Sequence, residues 1–120
     1  MNNDWTIEFR AKYPTMFANT HRCNFHCGEG WMPILDKLCT AALTLDPAIE
    51  ICQIKEKFGT LRFYPERVSE NIREAMYVLI NAAEAETAHT CEECGAEGVQ
   101  HNLRGWLTTL CEGCLTKEPK

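Results

Sequence analysis

Two Cys-x-x-Cys pairs, Cys91/Cys94 and Cys111/Cys114, flank 16 residues near the end of a chain of 120. No other feature constrains the fold as strongly. A two-residue spacer lets both sulfurs of a pair face one point, and two such knuckles at the base of a hairpin complete a tetrahedron. Gly95 permits the tight turn after the first pair. Between the pairs, VQHNLRGWLTTL carries a turn signal at Arg104-Gly105, flanked by short β-prone segments. The expectation is a zinc-ribbon module, residues 90–116, in which Cys91, Cys94, Cys111 and Cys114 bind one structural zinc. Four thiolates leave no open position for water or substrate, so such an ion holds the chain together rather than acting as a Lewis acid.

Disulfides are the competing reading of paired cysteines, and the cell compartment decides between them. The first ten residues, MNNDWTIEFR, have no apolar core and no small-residue cleavage site, so they do not read as a signal peptide. The longest apolar runs, such as AMYVLINAA, are too short to span a bilayer. The expected setting is cytoplasmic, without membrane association. There, paired cysteines bind metal more often than they oxidise. Cys39 and Cys52, each alone in an apolar stretch, read as small buried residues.

His-Asn-His nucleases also carry two Cys-x-x-Cys pairs, and His101-Asn102 lies between the pairs here. That chemistry needs a ββα unit with a base His and a second ligand for a catalytic metal. The 16 intervening residues leave no room for it. No phosphate-cradling Gly-rich loop, nucleophile elbow or paired acid/base carboxylates stand out, so the chain does not read as an enzyme. His21, Cys23, His26 and Cys27 crowd four potential ligands into seven residues and form a candidate second zinc site, with Cys39 or Cys52 as further donors. The blander reading buries Cys27 beside Trp31.

The body, residues 1–89, reads as α+β. Asn3 or Asp4 can cap a first helix carrying Trp5 and Phe9 on one face. A Cys/His-rich loop, HRCNFHCGEG, follows. From Trp31 the apolar residues Ile34, Leu35, Leu38, Ala42 and Leu45 recur at helical steps, up to Asp46-Pro47. Residues 49–64 read as a β-hairpin with a Gly59-Thr60 turn, pairing Phe58 with Leu61 and setting Lys57 across from Arg62. Its core face would hold Cys52, Ile54, Phe58, Leu61 and Phe63, and its other face Lys55, Lys57, Arg62 and Tyr64. A long helix over 69–89 buries Ile72, Met76, Leu79, Ile80 and Ala83. The expected architecture is two or three helices packed on a hairpin, with the zinc module at the C-terminus.

Charge is uneven. Residues 1–64 balance seven basic against seven acidic side chains, while residues 65–120 carry five and ten, which accounts for the net charge of −5. Glu74, Glu84, Glu86, Glu92, Glu93 and Glu97 fall in a stretch with no Lys or Arg. Such a surface repels phosphate, which disfavours nucleic acid, and suits a partner with a basic face. The helix glutamates lie off the apolar stripe and are expected to face solvent, forming an acidic ridge with those of the first knuckle. The concentrated positive feature, Lys55, Lys57, Arg62 and Tyr64, is the second candidate contact face. Trp31 and Trp106 are large enough to anchor an interface if exposed.

The segments GEGWMPILDKLC, IKEKFGTLRFY and CEECGAEG…RGWLTTLCEGC, in that order, resemble a group of small, uncharacterised proteins encoded by bacteriophages and prophages. The resemblance covers about residues 24 to 115. It implies a setting, the infected bacterial cytoplasm, more than a mechanism. In that setting, a small acidic zinc-stabilised protein without catalytic residues resembles stoichiometric binders or inhibitors of host machinery, including counter-defence proteins of the anti-CRISPR kind. The alternative is a zinc ribbon that binds nucleic acid or a transcription complex.

Overall fold

A computed structural model of the chain describes residues 5–18 and 24–117. The capping residues Asn3 and Asp4 and the candidate ligands His21 and Cys23 lie outside the described residues. In chain order the elements are α1 (Trp5–Lys12), β1 (Asn24–His26), α2 (Met32–Leu45), β2 (Ile51–Lys57), β3 (Thr60–Pro65), α3 (Arg73–Thr87), β4 (Val99–Leu103), β5 (Trp106–Leu110) and α4 (Glu112–Lys117). Short 3-10 turns, Glu29–Trp31 and Glu70–Ile72, lead into α2 and α3. The architecture is α+β, as expected from the sequence. No helix among the described residues is long and apolar enough to cross a membrane.

The body contains a strand that the sequence does not announce. β1 pairs in parallel with β2, giving a three-stranded sheet of order β1-β2-β3. Three residues are too few to display an alternating pattern, so this segment reads as loop in the sequence. It places Phe25 beside Ile54, which in turn faces Phe63 across the hairpin. Rings of Trp5, Phe9 and Phe17 gather on Phe25, with centroids 5.2 to 5.9 Å from it, and dock α1 against this edge of the sheet.

The hairpin register differs from expectation by one residue. The turn is Phe58-Gly59, with Lys57 paired to Thr60, Glu56 to Leu61 and Lys55 to Arg62. Phe58 has φ 57° and Gly59 φ 84°, the two left-handed residues of a type I′ turn, whose twist matches that of the flanking strands. Phe58 therefore sits at the tip, 59% exposed, rather than in the core. A bulge between Ile51 and Gln53 turns Cys52 outward and Ile51 inward. Ile54, Leu61 and Phe63 remain buried, facing α2 and α3.

α2 buries Ile34, Leu35, Leu38, Cys39 and Ala42, and α3 buries Met76, Ile80, Ala83 and Thr87. α3 also closes the free edge of the sheet. The N–H of Leu61 donates to Thr87 Oγ1 at 3.0 Å, and that of Phe63 to Glu84 Oε2 at 3.3 Å. Those strand amides would otherwise be left without partners under the helix.

Candidate metal centre

The first knuckle follows directly from the end of α3. Cys91 N–H donates to Ala96 O at 2.7 Å and Gly95 N–H to Cys91 O at 2.9 Å, which curls the chain around the first sulfur pair. Gly95 takes φ 85°, a conformation that a side chain would strain. Glu92 N–H donates to Thr109 O at 3.0 Å and ties the knuckle to β5. β4 and β5 pair antiparallel through the Arg104-Gly105 turn, both residues at positive φ, and Asn102 Oδ1 accepts the Gly105 N–H at 2.7 Å. The second pair lies where β5 runs into α4, with Cys114 N–H directed at Cys111 Sγ at 3.4 Å.

This folding brings the four sulfurs of Cys91, Cys94, Cys111 and Cys114 within 4.8 Å of one another, and those of Cys94 and Cys111 to 3.6 Å. Thiolates held about 2.3 Å from a tetrahedral ion stand ~3.8 Å apart, so the cluster fits a metal of that geometry. Cys91 is buried, Cys94 exposed, and the other two lie between. Burial pushes the Cys91 thiol up, but backbone N–H groups of Cys111, Cys94 and Glu93 outweigh it and bring the thiol down to about 7. Burial and the neighbouring thiols push Cys114 up to about 12. A bound cation would supply the positive charge that lets all four ionise together. Among the described residues, this is the one group of ligating side chains close enough to hold an ion.

Among the described residues, which do not include His21 and Cys23, His26 and Cys27 belong to no such group. Cys27 is partly buried against the core, and burial together with the Glu92 and Glu56 carboxylates raises its thiol to about 12. His101 lies on β4 with Nε2 3.3 Å from Leu110 O, and Asn102 is occupied by the turn.

The acidic ridge does not form as expected. Glu84, though off the apolar stripe, turns onto the sheet edge; burial raises its carboxyl above the ordinary value, partly offset by Phe63 N–H and the nearby Arg62 charge. Glu92 turns inward and accepts the Gly28 N–H at 2.9 Å. Glu86 pairs with Lys37 at 3.2 Å. Glu74, Glu93 and Glu97 are exposed. Both inward turns follow from amides far away in the sequence that need acceptors, which helical periodicity does not reveal. On the other face of the hairpin, Lys55 rather than Lys57 stands across from Arg62, because of the register. Lys57 Nζ lies over the Phe58 ring at 5.5 Å, and Tyr64 is exposed.

Sequence reasoning missed the residues that seat the knuckle on the body. Gly30 N–H donates to Glu92 O at 2.7 Å, and Trp31, completely buried, donates Nε1–H to Thr90 O at 2.8 Å. A Cβ on Gly30 would run into the Cys91 carbonyl and stand 2.6 Å from that of Glu92. The hairpin tip makes a second contact: Thr109 Oγ1–H donates to Gly59 O and Gln100 Nε2–H to Phe58 O, both at 2.6 Å. The closely spaced glycines of GEGW were the available signal, but nothing local names their partner. No protein-family model, curated protein or solved structure matches the chain.

Proposed function

We propose that this protein is a small zinc-stabilised binding module, without catalysis of its own, that engages a protein of the bacterial host in the cytoplasm during phage infection. The observation that carries the reading is the four-thiol cluster of Cys91, Cys94, Cys111 and Cys114. An all-sulfur tetrahedral set is characteristic of structural zinc, and four protein ligands fill its coordination sphere. The ion then contributes folding free energy to a ribbon with little core of its own. What the module offers to other molecules is its surface. The phage-type resemblance of the GEGWMPILDKLC, IKEKFGTLRFY and RGWLTTLCEGC segments supports a role in modulating or inhibiting host machinery, and counter-defence of the anti-CRISPR kind fits a stoichiometric acidic binder.

The test is affinity capture. The tagged protein is passed through host lysate across a salt series, and retained proteins are identified by mass spectrometry. In parallel, it is titrated with bulk DNA and RNA. Stoichiometric retention of one host protein or complex, with weak nucleic-acid binding, is the expected result. Tight binding to bulk nucleic acid, or metal-dependent nuclease activity lost in His101→Ala, would contradict it.

A further inference from the structure

The ribbon hairpin leaves part of one face open to solvent. Trp106 is 66% exposed, although tryptophan is mostly buried on average, and Val99 is 60% exposed. Val99, Leu103 and Trp106 share this face with Leu110, which is buried, since Val99 is paired with Leu110 and Leu103 with Trp106. Gln100 and Thr109, on the opposite face, are the residues that dock on the hairpin tip. The exposed part of this face is therefore not what docks the ribbon on the hairpin tip.

Trp106 forms the wall between two clefts. One, about 410 Å³, is lined by Leu103, Leu110, Glu56, Glu92 and Glu93, with no Lys or Arg among the described residues. The other, about 320 Å³, runs along Phe58, Leu107 and Lys57. Two of the three carboxylates are held in place from within. Glu56 Oε2 accepts the Gly59 N–H at 2.8 Å, and Glu92 accepts the Gly28 N–H. A carboxylate has more acceptor sites than the single one used in each case.

We propose that this face binds an arginine-bearing extended segment of a protein partner, with the guanidinium laid against the Trp106 indole and forked onto the carboxylates of Glu93, Glu56 and Glu92. The inference rests on the protein-binding reading above and gives it a site. A planar cation over an indole with carboxylates at its rim satisfies both the ring's quadrupole and the fork's donors, which an ammonium does less well. Phosphate would face three carboxylates, so a nucleic acid is the wrong occupant. The clefts on either side of Trp106 suit a chain passing over it, with an apolar neighbour of the arginine against Leu103 or Phe58. The platform is rigid, because the β4–β5 pairing and both cysteine knuckles fix its backbone, and binding need order little of it.

The test uses the zinc-loaded protein and a fluorescently labelled peptide of alternating arginine and glycine. Matched lysine–glycine and glutamate–glycine peptides and a short single-stranded DNA serve as comparisons. Amide and indole NMR shifts locate the contact. The expected result is shifts centred on Trp106, Leu103 and Glu93, arginine bound more tightly than lysine, and neither glutamate peptide nor DNA bound. Trp106→Ala is expected to weaken binding by on the order of tenfold, and Glu93→Lys by several-fold, with metal content and melting temperature unchanged because both side chains are exposed. Arginine peptide binding within twofold of wild type in Trp106→Ala, shifts centred on α3 instead, or DNA occupying this face would overturn the proposal. A host protein captured equally by wild type and Trp106→Ala removes this site alone. No capture and no peptide binding remove the protein-binding reading as well.

Discussion

The backbone N–H of Gly30 donates to the carbonyl of Glu92 at 2.7 Å, so the turn before α2 and the first cysteine knuckle meet main chain to main chain. Residue 30 has no room for a side chain there, since its Cβ would fall among the Cys91 and Glu92 carbonyls and Gly95 N. The four-cysteine cluster is thus keyed to the body at a position 61 residues before its first cysteine.

Gly30→Ala should therefore destabilise the protein by on the order of 3 kcal/mol and speed metal loss to a chelator, although every ligand is intact. Gly113, inside α4 with open space around it, is the control. Gly113→Ala should be neutral or stabilise by about 0.5–1 kcal/mol. Thermal melts and chelator-competition kinetics on both variants check this. Equal behaviour of the two would show that the Gly30 contact is dispensable.

Thr87 is completely buried and spans two elements, accepting the Leu61 N–H and donating to Glu84 O at 2.6 Å. Thr87→Val keeps the shape but leaves the Leu61 amide without an acceptor, and should lower stability by about 1–3 kcal/mol. Thr87→Ser should recover most of that loss. Denaturant unfolding of both variants measures the difference, and a Val variant as stable as wild type would contradict the edge-closing role.

Asp36 on α2 and Tyr13, just beyond the end of α1, should shape the pH dependence at opposite ends. Hydrogen bonds from Lys12 and Tyr13 hold the Asp36 carboxyl below its ordinary value of 3.8. A depressed carboxylate stabilises the fold above its unfolded pKa, and that contribution is lost as pH falls through the folded value. Tyr13 is raised from 10.0 to about 12 by burial and by its hydrogen bond to Asp36. A raised phenol stabilises the fold below pH 10, and that contribution is lost between pH 10 and about 12. Asp36→Asn should flatten the acid limb of a stability-versus-pH curve, and Tyr13→Phe the alkaline limb. Unchanged limbs in both variants would remove these groups from the account of pH stability.

What the sequence made legible and what it hid follow the range of the interactions. The ribbon was legible because cysteine spacing and the Arg104-Gly105 turn are local signals. The α2 stripe was legible because its period reports burial directly. The hairpin is legible but its register is not, because Phe58 adopts φ 57°, a conformation unusual for an aromatic residue, and Gly59-Thr60 reads as the better turn. β1 was hidden by its shortness and its parallel pairing to a strand far along the chain. Glu84 and Glu92 read as solvent-facing from their positions on a helix and a knuckle, whereas distant amides of Phe63 and Gly28 draw them inward. Trp106 was legible as an anchor only on condition of exposure, and it is exposed where Trp31 is not.

The most direct measurement of the central claim is X-ray absorption at the zinc edge on protein purified without added metal. The expected result is one zinc per chain with four sulfur neighbours at about 2.3 Å, changing to three sulfurs or to loss of the metal in Cys94→Ser. Protein that carries no zinc, or zinc bound through mixed nitrogen and oxygen neighbours, would contradict the assignment of Cys91, Cys94, Cys111 and Cys114 as its complete ligand set.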